Sequence, residues 1–142
     1  MSFQNQFTKT TTDANLMETV HHGSAEYPFR YYYENIALFD FKCIDWHWHS
    51  ELEFIYIESG NVVFDIGTVH FELNEGNVIM INSKILHRLQ SSSDAIIPNF
   101  LFQPSFIAPQ DSLIYKKYIN PVISSSLEYL VFQPDIPWQK KA

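Results

Sequence analysis

Three histidines and one glutamate fall into two short segments of the chain. His47, His49 and Glu53 lie in DWHWHSELEFIYIESG, residues 45–60, and His87 closes GNVIMINSKILH, residues 76–87. In a strand, residues two apart share a face with α-carbons about 6–7 Å apart, so His47 and His49 can aim two imidazoles at one point. Glu53 has the same parity, but Ser50 and Glu51 break the apolar pattern before it. A turn or bulge is expected there, with Glu53 coming from the next strand. Imidazole and carboxylate are the usual protein ligands of borderline and harder divalent cations. Two histidines, a glutamate and a distant third histidine would form a partial shell for Zn, Ni, Mn or Fe, with positions open to water or an organic ligand. The alternative is a polar pocket in which the same four groups bind an organic ligand without metal. Under either reading His47, His49, Glu53 and His87 are the candidate ligand-binding residues of one cavity. No residue is assigned a catalytic role.

Strands must carry these groups. The chain holds 12 Phe, 8 Tyr and 3 Trp, and 46% of it is hydrophobic. Aromatic and β-branched residues suit a pleated, half-buried surface, so the excess points to a mainly β fold. Strand-like runs are read at Phe29–Tyr33, Ile36–Ile44, Leu52–Ile57, Val62–Ile66, Val69–Leu73, Val78–Ile81, His87–Gln90, Ile96–Phe102 and Leu127–Phe132. Gly67-Thr68 marks a tight hairpin, and Pro98 marks an edge or a bulge. Short strands at this spacing imply a sandwich or barrel. A turn of helix is read over Asn15–Val20. A helix capped by Asp111 or Ser112 runs to Asn120 and is expected to end at Pro121. Asp135 and Pro137 start another, five residues before Ala142, and the chain is therefore expected to continue beyond that point.

Several residues take the plainer reading. His21 and His22 flank Gly23-Ser24 and are expected in solvent; His70 is assigned to the surface. Cys43 is expected as a small core residue. Trp46, Trp48, Phe54 and Tyr56 alternate with the candidate ligands and should point away from the cavity. Arg30 is expected to be exposed.

At 142 residues and 16.7 kDa the chain fits one domain. Nine basic residues stand against 16 acidic ones, a net charge of −7. Phosphate contacts need a basic surface, so direct nucleic-acid binding by this chain is disfavoured. No apolar run reaches the length of a membrane span, and residues 1–15 lack a signal peptide's apolar stretch. One cysteine allows no internal disulfide, and a reduced, cytoplasmic setting is the simplest expectation.

The order and spacing of the motifs resemble a known family. His47-x-His49, Glu53 and Gly60 resemble the first cupin motif; Gly76, Asn82, Lys84 and His87 resemble the second. Asn82 stands where that motif usually has Pro, Lys84 where it usually has Gly, and Ser91 where it often has Asn. Phe41 stands where the first motif often begins with Gly. HWHSELEFIYIESG, EGNVIMINSKILHRL and the lead-in HHGSAEYPFRYYY are more specifically similar to the N-terminal sensor domain of AraC-family transcription regulators, over residues 21–138. That resemblance implies a cupin-like barrel (a double-stranded β-helix or jelly roll) with a short C-terminal helical segment. It divides the chain into a flexible N-terminal arm (1–24), a ligand-binding barrel (25–110), and a helix, a strand and the start of a linker helix (111–142). The implied function is not enzymatic: an effector-sensing and dimerising domain, whose helix-turn-helix half lies outside this chain. The implied partners are a sugar or another small polar metabolite and a second copy of the chain. DNA would be reached only through the missing domain, and no membrane is involved. A small metal-dependent cupin enzyme, a dioxygenase or isomerase, is the alternative.

Overall fold

Among residues 9–140, which the computed structural model describes, nine strands form two antiparallel sheets. Residues 1–8 of the expected arm lie outside the described residues. One sheet has the order β1 (Phe29–Asn35), β8 (Ile96–Phe102), β3 (Leu52–Tyr56), β6 (Val78–Ile81), β9 (Tyr129–Phe132). The other has the order β2 (Cys43–His47), β7 (His87–Gln90), β4 (Val62–Ile66), β5 (Val69–Leu73). Alternate residues of both sheets point inward. Ile55, Ile79, Ile81 and Ile97 of the first meet Val62, Phe64, Ile66 and Leu89 of the second in one buried cluster. This is the mainly β, cupin-like barrel that the motifs imply. Strand β9, from the segment set apart by sequence, pairs with β6 and completes the five-stranded sheet.

The bounds of β4 to β8 are those read from the sequence. Ile36–Ile44 is different: it forms two short 3-10 turns, Ile36–Leu38 and Asp40–Lys42, before β2 begins at Cys43. Asn35 accounts for the first turn, because its side-chain oxygen accepts from Ala37 N–H at 3.0 Å and from Ala95 N–H at 3.2 Å. Such local side-chain bonds compete with the strand ladder. Phe41 and Lys42 then adopt positive φ. Cys43 is half-buried rather than a core residue. Pro98 lies in a strand paired on both sides, not at an edge, and the ladder to β3 stops one residue short of it, at Ile55 and Asn99.

The helical segment also departs from expectation. Ser112 Oγ accepts from Tyr115 N–H at 3.1 Å, as a capping residue should. Pro121 does not end the helix. A π turn spans Tyr115–Ile119, and α1 (Asn120–Ile123) follows it directly. Proline has no N–H to give to the preceding turn. Asn120 N–H reaches back to Tyr115 O, so the widened turn precedes the proline and the chain stays helical. Helix α2 (Pro137–Lys140) starts where Asp135 and Pro137 suggest. No helix among the described residues is long and apolar enough to cross a membrane.

Candidate functional site

The first three candidate ligands come from β2, the bend after it, and β3. Strand β2 carries an irregularity: Ile44 pairs with Leu89 and His47 with His87, so three steps on β2 oppose two on β7. An extra residue of this kind bends a strand and re-aims its side chains. It brings His47 opposite His87 on the inner face, with ring centroids 4.2 Å apart. His49 follows in an extended stretch held by Lys84 N–H, which donates to His49 O at 2.8 Å. The chain bends at Ser50 and Glu51, and β3 then returns Glu53 to the same place. All four side chains are buried, and one ligand atom from each lies within 4.8 Å of all the others.

Hydrogen bonds orient each ring. His47 Nδ1 lies 2.7 Å from Asp45 O, His49 Nδ1 3.1 Å from Glu51 O, and His87 Nδ1 2.7 Å from Ile85 O. A carbonyl oxygen only accepts, so each Nδ1 carries the proton and each Nε2 is turned to the centre. Glu53 Oε1 is 3.1 Å from His49 Nε2 and 3.3 Å from His87 Nε2. Burial raises the Glu53 carboxyl, but the hydrogen bonds and charges of His49 and His87 outweigh it and hold it well below the usual range. Burial lowers His49, yet its bond to Glu53 and the surrounding carboxylates lift it to about 9. His47 is pushed down to about 3, by burial and by neighbouring His87. One proton therefore sits on the His49–Glu53 pair at neutral pH, while His47 is a neutral imidazole.

His47, His49 and Glu53 line a cavity of about 50 Å³, room for a handful of waters. His87 lies behind them, fully buried. The remaining polar wall of the cavity is Lys9, Thr10, Glu18, His22, Tyr32, Glu34 and Asn99. His22 is a correction. It is not in solvent but buried, with Nε2 against Glu18 Oε1 and Nδ1 2.7 Å from the Tyr32 hydroxyl. It is in place because residues 12–18 are not a turn of helix. They run beside the barrel, bridging Thr12 to Glu18 and Met17 to Trp48. Glu18 N–H donates to Trp48 O, Trp48 N–H to Leu16 O, and the Trp48 indole to Asn15 O. His21 and His70 are exposed as expected. Trp46 and Trp48 face outward, and Phe54 joins Phe29, Phe100 and Phe102 on the outer face of the five-stranded sheet. Arg30 is half-buried over the Tyr32 ring, 5.5 Å from its centroid. Glu34 had a sequence signal in its strand parity: it shares Tyr32's buried face on β1. Glu18 and Asn99 had none.

The AraC-like ligand binding domain model matches residues 38–108, half of the chain and the part that holds all four candidate ligands. The chain belongs to this family. This AraC-like ligand binding domain is also 31% identical over 131 residues to an uncharacterized HTH-type transcriptional regulator, YdeC, of Bacillus subtilis (strain 168). That match takes in 90% of the present chain and 44% of the relative, so the chain spans under half of the relative's length. Solved structures that resemble it include a cupin-2 domain containing protein of Shewanella frigidimarina NCIMB 400, at 14% identity and a TM-score of 0.46, over 51% of this chain and 69% of that one. Another is the oxalate decarboxylase of Bacillus subtilis, a protein with Mn(II) centres, at 21% identity and a TM-score of 0.40, over 43% and 18% of the two chains.

Proposed function

We propose that this AraC-like ligand binding domain is the effector-sensing half of a transcription regulator, and that its sensing site is built on a divalent metal held by His47, His49, Glu53 and His87. The observation that carries the metal is the orientation of the rings. The Nε2 atoms of His49 and His87 meet on the Glu53 carboxylate, a ligand atom of His47 lies within 4.8 Å of theirs, and each Nδ1–H is spent on a backbone carbonyl two residues away. That is the outer-shell arrangement of metal-binding histidines, which fixes the tautomer and raises the basicity of the facing nitrogen. A donor set of three imidazoles and one carboxylate suits Zn, Ni, Mn or Fe. The bound cation would supply a Lewis-acid anchor for one end of a small effector. The regulator reading is supported by the relative, whose described role is transcriptional, and by the net charge of −7, which leaves DNA contacts to another domain. Effector binding would bias two arrangements of the chain, and through a homodimer the placement of the DNA-binding halves. The domain binds and does not turn over its ligand.

Metal analysis of the purified chain after dialysis tests the site. One Zn(II) or Mn(II) per chain is expected, and His47→Ala should weaken metal binding about a hundredfold or more. A chain that retains no metal, and binds none on titration, removes the metal from the reading.

A further inference from the structure

Three acceptors, Glu34, Asn99 and Glu18, stand on the cavity wall, beside the donors Tyr32, Thr10 and Lys9. Glu34 is 6% exposed, and its Oε1 accepts from Asn99 Nδ2 at 2.9 Å. Among the described residues no other hydrogen bond ends on this carboxyl. Among the described residues no fully occluded side-chain oxygen lacks a partner, so Glu34 Oε2 opens on the cavity that the residue lines. Asn99 spends its amide nitrogen on Glu34 Oε1 and on Ile97 O at 2.8 Å, which leaves its own oxygen free to accept. Glu18, the third acceptor, is carried in by the N-terminal segment and bound to His22. A cavity of about 50 Å³ encloses only a few non-hydrogen atoms.

We infer that the cavity takes a short, non-anionic ligand that carries hydroxyl or ammonium donors, such as an amino alcohol or diol, with Glu34 Oε2 and Asn99 Oδ1 accepting from it. This assignment rests on the sensing function proposed above and names its ligand class. One heteroatom would face the His47, His49, Glu53 and His87 cluster, and the donor end would face Glu34. With Glu34 ionised, a dicarboxylate of the same size would set its second carboxylate against the oxygens of Glu34, Asn99 and Glu18. Buried acceptors left without donors are costly, so the wall excludes such ligands as well as selecting its own.

The test is calorimetric titration at pH 8.5, where Glu34 is ionised although burial raises it to about 7, of the Zn(II)-loaded chain with ethanolamine, ethane-1,2-diol and oxalate, with metal content measured on each sample. Ethanolamine or the diol should bind, and oxalate should bind about tenfold more weakly or worse. Glu34→Gln should weaken the ethanolamine or diol complex about tenfold and leave the metal content unchanged. Glu18→Gln, at the cavity's other carboxylate, repeats the test if Glu34→Gln does not fold, and should weaken ethanolamine while sparing metal. Oxalate as the tightest of the three overturns the inference, as does an absence of binding by both ethanolamine and the diol. A Glu34→Gln chain that binds these probes as the parent does is equally fatal to it. Metal content separates the two readings. If the chain takes no metal, the metal-based function fails, while the same titrations on the metal-free chain still decide the role of Glu34.

Discussion

A carboxyl group buried as deeply as Glu34 keeps a proton that water would remove. Burial pushes it up to about 7 from an ordinary 4.5. The sign follows from proton counting. Between these two values the folded chain holds more protons than the unfolded one, so this group makes stability fall as pH rises through that window. Glu18 and Glu53 are shifted the other way, and their contribution is lost only as pH falls below the ordinary carboxylate value. His47, held neutral by burial, opposes this as pH rises to its ordinary 6.5, while His49, lifted to about 9, adds to it above that value, so thermal melts of the metal-free chain should show a modestly lower Tm at pH 7.5 than at pH 5, and Glu34→Gln should remove that drop. His49 gives a second pH dependence. A metal must displace the proton that His49 holds up to about 9. Metal affinity should then rise about tenfold per pH unit from 6 towards 9, with one proton released per ion. Competition titrations with a chelator at several pH values would measure it; a flat profile would mean that His49 is not a ligand. At this scale the sequence was readable where a motif repeated a known spacing, as at His47, His49, Glu53 and His87. It was silent at Asn99, because one asparagine among apolar strand residues carries no periodic signal.

Two positions that depart from the cupin motifs share a backbone property. Phe41 and Lys84 replace residues that are often or usually glycine, and both have positive φ, 60° and 64°. A side chain in the left-handed region costs about 1–2 kcal/mol, of which glycine's larger unfolded-state entropy would return about 0.5–1 kcal/mol. Lys84→Gly should therefore stabilise the chain by roughly 0.5–1 kcal/mol, read as a higher urea midpoint, since Lys84 is exposed and its role is its backbone N–H to His49. An unchanged or lower midpoint would show that the Lys84 side chain matters. The strands β4 to β8 were legible because alternation and turn residues agree along them. The start of β2 was not, because the capping of the Ile36–Leu38 turn by Asn35 depends on Ala95, 60 residues away. Pro121 misled for a similar reason. A proline stops a regular α-helix, and nothing local announces that a π turn will absorb it.

Over the whole molecule, charge and apolar surface are separated in kind. The chain carries −7 overall, while Tyr31, Tyr56, Leu130, Leu113, Tyr118 and Trp138 are all exposed. A mobility-shift assay at physiological salt should show no retardation of DNA by this chain alone, whatever the sequence of the duplex. Specific retardation would contradict the division of labour proposed for the regulator. The fold class was legible at this scale from aromatic content and strand spacing, but the path of residues 9–24 was not, since their polar, Thr-rich composition hides a backbone pairing with Trp48. That pairing has an optical consequence. The Trp48 indole donates to Asn15 O at 2.9 Å, on the same segment that carries Glu18 to the cavity. Indole emission depends on what the ring nitrogen touches, so Trp48 is a built-in fluorophore for the seating of that segment. With Trp46 and Trp138 replaced by phenylalanine, a single emission maximum would follow, without any label, whether the cavity's N-terminal wall is in place.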